Sequence, residues 1–284
     1  MQQQYVSAAD GQPVSLNWFE PDSATTTAWV LIAPALGVPQ RFYHDFANYL
    51  VGNGFGVMTL DYRGIAQSPL QVTDDAEVKM SDWGLLDLPI ALQTLKAKAA
   101  GQPCHVIGHS CGGQLLGLSG ELDGIASITC IGASVPALQY YHGQRLKMWL
   151  LWRLILPLLC MGKRFPAQKL GIAKQSIPSG IIRQWASWGR SNHYLFEPKN
   201  GFDLSGYQDY QQRLLSIGFA DDDYAPPAAV LDLGRRYSHA ERSERIYGDS
   251  EVNQVGGIGH FNYFRRRHQP LWPELVDWLT RPAS

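Results

Sequence analysis

A chain of 284 residues is long enough to bury a large core, as one α/β domain or as a domain with an insertion. Charged residues make up only 17%, and the formal net charge of −1 gives no net long-range pull toward nucleic acid or an anionic membrane. Its four cysteines (Cys104, Cys111, Cys130, Cys160) lack C-x-x-C or metal-ligand spacing, so they read as buried thiols of a reducing, cytoplasmic compartment, with no metal site and no cofactor expected.

Residues Met1 to Tyr5 show no basic region followed by an apolar run, so no signal peptide is expected. The longest apolar stretch, Met148 to Met161, is interrupted by Arg153 and Pro157. It falls short of the roughly 20 residues that cross a bilayer, so stable membrane insertion is not expected. Val6–Ala8 and Val14–Trp18 flank Asp10-Gly11 and predict a β-hairpin. Ala28–Ala33 is a continuous apolar run, as suits a strand covered on both faces, and Pro34–Pro39 forms the loop after it. Phe42, Phe46 and Leu50 give one apolar face to a helix over residues 41–50. Gly56–Asp61 is the next strand. A helix from Asp82 to about Lys98, capped by Ser81, buries Leu88, Leu92 and Leu95. Strands follow at Cys104–Ile107 and Ile125–Gly132. Strand alternating with helix predicts a mostly parallel central sheet flanked by helices.

That alternation stops at Ala137 and resumes near residue 211. The stretch between holds Trp149, Trp152, Trp185 and Trp188 with helical spacing, and reads as an inserted helical cap. The expected organisation is therefore a core of residues 1–136 and 211–284 with a cap over 137–210. Within the second part, Leu214–Phe219 and Ser243–Gly248 are strands, Pro226 to Tyr237 is a helix, and residues 264–280 are a helical region bent at Pro270 and Pro273.

The chemistry centres on Gly108-His109-Ser110-Cys111-Gly112, a G-x-S-x-G turn between a strand and a stretch able to start a helix. In that setting a serine sits on a strained, sharp turn with its hydroxyl exposed. It needs a base. His260, in the glycine-rich loop Gly256–Phe261 after the last strand, is the histidine best placed to swing back over the sheet edge. His109 is held in the turn itself and is assigned to packing or the pocket wall. The acid that orients the base should come from Asp221-Asp222-Asp223, at the end of the 214–219 strand. Asp222 is favoured and Asp221 comes second. An oxyanion would be received by the backbone N–H groups of Cys111 and Leu36.

These residues resemble an α/β-hydrolase fold serine hydrolase. The resemblance rests on Asp61-Tyr62-Arg63-Gly64 with Ser68, the turn around Ser110, the loop from Asp222 to Pro226, and Gly259-His260-Phe261. The segment His260–Arg265, with Leu271-Trp272 and Asp277–Leu279, is similar to a bacterial subgroup related to serine aminopeptidase-like and monoacylglycerol lipase-like enzymes. The resemblance implies Ser110 as nucleophile, His260 as base and Asp222 as acid. The chain departs from it at Pro34-Ala35, where many members carry His-Gly, and at Ala66, where many carry glycine.

The expected reaction is ester hydrolysis through an acyl-enzyme. The apolar cap, with Trp149 and Trp152 on the pocket wall, favours an apolar acyl or aromatic substrate. Thioester or amide hydrolysis by the same three residues, and an inactive scaffold that only binds, are the alternatives. The small-molecule substrate is the only partner required. The apolar cap equally offers a homodimer face.

Overall fold

A computed structural model describes residues 1–21, 26–71, 77–170 and 175–281, without the side chains of residues 169 and 170. Ten strands are found among them: β1 (Gln2–Ser7), β2 (Pro13–Phe19), β3 (Ala28–Ala33), β4 (Phe55–Asp61), β5 (Cys104–His109), β6 (Ile125–Ile131), β7 (Arg164–Phe165), β8 (Ile177–Pro178), β9 (Arg213–Phe219) and β10 (Glu241–Tyr247). Eight of these form one sheet in the order β1-β2-β4-β3-β5-β6-β9-β10. The pairs β1/β2 and β2/β4 are antiparallel, and every other pair in that sheet is parallel. The fold is thus α/β, with a mostly parallel central sheet.

The helices are α1 (His44–Gly52), α2 (Met80–Asp82), α3 (Leu88–Ala99), α4 (Cys111–Leu115), α5 (Arg145–Leu150), α6 (Leu156–Leu159), α7 (Ser179–Gly189), α8 (Ser205–Gln208), α9 (Pro227–Arg236), α10 (Asp249–Gln254) and α11 (Trp272–Leu279). A π-helical turn, Trp83–Asp87, joins α2 to α3, and a second, Leu151–Ile155, joins α5 to α6.

Both faces of the sheet are covered, which is why β3 is apolar throughout. Trp29, Leu31 and Ala33 pack with Leu88, Leu92 and Leu95 of α3 on one side. Val30 and Ile32 pack with Phe46 and Leu50 of α1 and Trp272 of α11 on the other. The period-two alternation of a strand delivers successive side chains to opposite layers. From β3 the chain proceeds to β4 on one side, and β5 lies on the other, so the strand order reverses there. In open α/β sheets a ligand crevice forms beyond the strand ends at such a switch point.

Several details differ from the sequence expectation. The 80–99 helical stretch is entered through Lys79, whose N–H donates to Asp82 Oδ2 at 2.8 Å. Ser81 lies inside the first turn and its Oγ accepts from Gln184 Nε2 instead of capping. The stretch between β6 and β9 is mainly helical, but it contains the two-residue antiparallel pair β7/β8, too short to leave a periodic signal. Helix α10 has no counterpart in the expected elements. Among the described residues no helix is long and apolar enough to cross a membrane.

Candidate active site

The turn after β5 takes its shape from steric necessity. Ser110 has φ +52° and ψ −120°, a conformation that side-chain-bearing residues rarely occupy and that costs on the order of 1–3 kcal/mol. Two glycines make it feasible. A Cβ on Gly112 would lie 2.2 Å from the carbonyl oxygen of Ala33, and one on Gly108 would lie 2.4 Å from Gly113 Cα. Strand β5 and helix α4 therefore approach more closely than any other residue would permit, and Ser110 is left at the tip.

The loop after α10 carries His260 to the same rim. His260 Nε2 lies 2.8 Å from Ser110 Oγ, and His260 Nδ1 lies 2.7 Å from Asp222 Oδ2. A carboxylate can only accept, so the proton sits on Nδ1, and Nε2 is left to accept the Ser110 hydroxyl. The other oxygen of Asp222 accepts the N–H groups of Tyr224 and Ala225, both at 2.9 Å, which fixes the carboxylate before any substrate arrives.

The three aspartates divide into three tasks. Asp221 accepts the N–H groups of Ile258 and Gly259 at 2.8 and 2.9 Å, so it clamps the loop that bears His260. Asp222 alone of the three meets the imidazole. Asp223 accepts Gln144 Nε2 at 2.8 Å, tying this rim to the stretch between β6 and β9. Gly132, at the end of β6, completes the floor. It has φ +58°, and a Cβ there would stand 3.3 Å from Asp222 Oδ2 and 3.4 Å from His260 Nδ1. Sequence reading missed Gly132, although a glycine closing a predicted strand was the available signal.

A buried chain of hydrogen bonds runs beneath this line. The N–H of Ala35 donates to the Tyr43 hydroxyl at 2.9 Å, which lies 2.8 Å from His109 Nδ1. His109 Nε2 lies 2.8 Å from the carbonyl oxygen of His260. Burial, with His260 nearby, pulls the pKa of His109 well below the usual value, so the ring is neutral. The His260 carbonyl must accept, which puts the single proton on Nε2 and makes Nδ1 the acceptor of the Tyr43 hydroxyl. The loop after β3 is thereby joined to the loop that holds His260. His109 is fully buried and absent from the pocket wall, so of the two roles expected for it the structure shows packing. Strand β5 directs its side chain down between Tyr43 and Phe264 instead. Tyr43 itself carried no sequence signal, because its partners lie far away in the chain.

A cavity of about 50 Å³ adjoins Ser110. Leu36 and Cys111 line it next to the hydroxyl, and Met148, Leu151, Trp152 and Trp185 form its apolar wall. Trp152 is buried, and its indole N–H has no acceptor among the described residues. Trp149 is not part of the wall. It is 40% exposed, with Arg153 over its ring. The Cys111 side chain is buried, with Sγ 3.5 Å from the Pro34 carbonyl, and burial pushes its thiol far up, so it offers no thiolate. Gln114 Nε2 donates to the Ser134 carbonyl and its Oε1 accepts the Tyr194 hydroxyl, which fixes the helix after Ser110. Among the described residues no cluster of His, Cys, Asp or Glu side chains suits a metal ion.

The sheet order, the strained turn at a strand end and the site at the switch point define an α/β-hydrolase fold. The profile of the serine aminopeptidase family, S33, matches residues 24–177, and the chain belongs to that family of hydrolases. No curated protein sequence matches it. Solved structures resemble it over nearly its whole length. A soluble variant of monoglyceride lipase from Saccharomyces cerevisiae, in complex with a substrate analog, is 18% identical, with a TM-score of 0.65 over 98% of this chain and 94% of that one. The esterase EaEST from Exiguobacterium antarcticum is 12% identical, with a TM-score of 0.61 over 99% and 100% of the two chains. The esterase Pf2001 from Pyrococcus furiosus is 14% identical, with a TM-score of 0.61 over 99% and 92%. At these identities the likeness is one of fold.

Proposed function

We propose that the protein is a serine hydrolase that cleaves a carboxylic ester through an acyl-enzyme. The observation that carries this reading is the continuous line Asp222–His260–Ser110, with links of 2.7 and 2.8 Å. Ser110 attacks the ester carbonyl while His260 Nε2 takes its proton, and Asp222 stabilises the imidazolium that forms. The oxyanion lies against the N–H groups of Cys111 and Leu36. The N–H of Ala35 is already committed to Tyr43, so the next one in that loop is the one left for a substrate. His260 then protonates the leaving alcohol and activates water for deacylation.

The cavity supports an apolar acyl or aromatic group, because Met148, Leu151, Trp152 and Trp185 line it beside Ser110. A substrate with a free amine is disfavoured, because the wall next to Ser110 is apolar and among the described residues holds no carboxylate to receive it.

The test is labelling with a fluorophosphonate probe, followed by p-nitrophenyl esters of increasing acyl length. Wild type should label and Ser110→Ala should not, with turnover falling by three or more orders of magnitude in the variant. A folded wild type that neither labels nor turns over any ester sinks the reading and leaves a binding scaffold.

A further inference from the structure

The overall charge of −1 conceals a strong partition. Residues 124–196 contain nine Lys or Arg and no Asp or Glu, whereas the rest of the chain has fifteen basic and twenty-five acidic residues. The excess of positive charge therefore belongs to the stretch that includes α5 and α6.

The same stretch exposes large apolar side chains. Leu146 is 71% exposed, Leu158 64% and Met161 84%, with Leu154 and Ile155 exposed between them. Arg145, Lys147, Arg153 and Lys163 are exposed among these residues, and none pairs with a carboxylate among the described residues. The helical run 145–159 is thus apolar on two sides. Met148, Leu151 and Trp152 face the cavity at Ser110, and Leu146, Leu154 and Leu158 face outward. A helix with apolar side chains on two sides needs cover on both. Fifteen helical residues reach only about 22 Å, less than the roughly 30 Å of a bilayer core, so this helix cannot span one but can lie in its plane.

We propose that the outer face of residues 145–161 docks on an anionic lipid bilayer. Exposed aliphatic side chains enter the acyl boundary while the interspersed Arg and Lys side chains meet anionic headgroups. Charge selects this occupant over a second copy of the chain, because a two-fold interface would set these unpaired cations against their own duplicates. Docking lays the helix that walls the cavity against the lipid, so an ester partitioned into the membrane surface is the substrate class brought nearest Ser110. The docking itself goes beyond the hydrolase reading and does not need it.

Co-sedimentation with vesicles tests this. Phosphatidylcholine alone is compared with phosphatidylcholine containing about one third phosphatidylglycerol. Wild type should bind the anionic vesicles at least about tenfold more tightly at roughly 0.05 M salt, and lose most of that at roughly 0.5 M. A Leu146→Glu/Leu158→Glu/Met161→Glu variant should lose about tenfold or more in binding while its turnover of p-nitrophenyl acetate stays within about twofold. Ser110→Ala should dock like wild type, which separates failure of docking from failure of the hydrolase reading. Absence of binding by folded wild type, equal binding to neutral and anionic vesicles, or a dimer in solution that the triple variant abolishes without vesicle binding would each overturn the proposal.

Discussion

Three adjacent carboxylates with different partners make a direct test of residue-level roles. Asp222→Asn keeps the shape of the site but lets the amide donate toward Nδ1, which favours the wrong imidazole tautomer. Turnover should fall by about 10⁴-fold with KM little changed. Asp223→Asn removes only a surface charge, its amide oxygen still able to accept from Gln144, and should leave turnover within about twofold. Equal losses at both positions would remove the role proposed for Asp222. Tyr43→Phe probes the buried chain beneath the site. It leaves the N–H of Ala35 and Nδ1 of His109 without partners in the core, which should cost about 1–3 kcal/mol of stability by denaturant unfolding. Because this chain joins the loop after β3 to the loop of His260, kcat should also fall more than KM rises. Lowered stability with unchanged kcat would make Tyr43 purely structural.

Among the elements, the π-helical turn in the helical run after α5 stands at a close-packed junction. The turn Leu151–Ile155 sets Trp152 edge-on to Trp185 of α7, with ring centroids 4.6 Å apart. Gly189 makes room for it, since a Cβ there would lie 2.4 Å from the indole. Trp152 thus forms the cavity wall and locks α7 to the helix above Ser110. Trp152→Ala should enlarge the cavity and shift the best p-nitrophenyl ester toward longer acyl chains, at a cost of about 3–5 kcal/mol in stability. An unchanged chain-length preference would show that the substrate does not reach this wall.

At the scale of the molecule, one buried cation holds the sheet edge to the helical layer. Arg63, just after β4, donates through Nε to Asp87 Oδ1 at 2.7 Å and through Nη1 to Asp10 Oδ2 at 2.6 Å. Asp10 lies in the turn between β1 and β2, and Asp87 in the π turn before α3, so three distant segments meet at one guanidinium. Burial pushes the Asp87 carboxyl up to about 7, against the pull of Arg63. Arg63→Ala should cost about 3–5 kcal/mol, because it strands a buried carboxylate. Without the guanidinium the carboxyl rises further and takes up a proton more readily, so the loss should be smaller at about pH 5 than at about pH 8. A pH-independent loss would mean that Asp87 is not the group left unpaired.

Local chemistry made much of this molecule readable in advance. Continuous apolar strands such as Ala28–Ala33, a helix stripe at Leu88, Leu92 and Leu95, and glycines around Ser110 each report on their immediate neighbours, because strand and helix periods and Cβ clashes act over a few residues. Those signals led to an α/β sheet and to Ser110, His260 and three aspartates as candidates. Long-range contact decided the rest. Which aspartate meets the imidazole, why His109 turns beneath the site, the part played by Tyr43, and which face of residues 145–159 walls the cavity all depend on groups far apart in the chain. Such pairings leave no periodic trace in a sequence, since only the closed fold brings their atoms within hydrogen-bonding or packing distance.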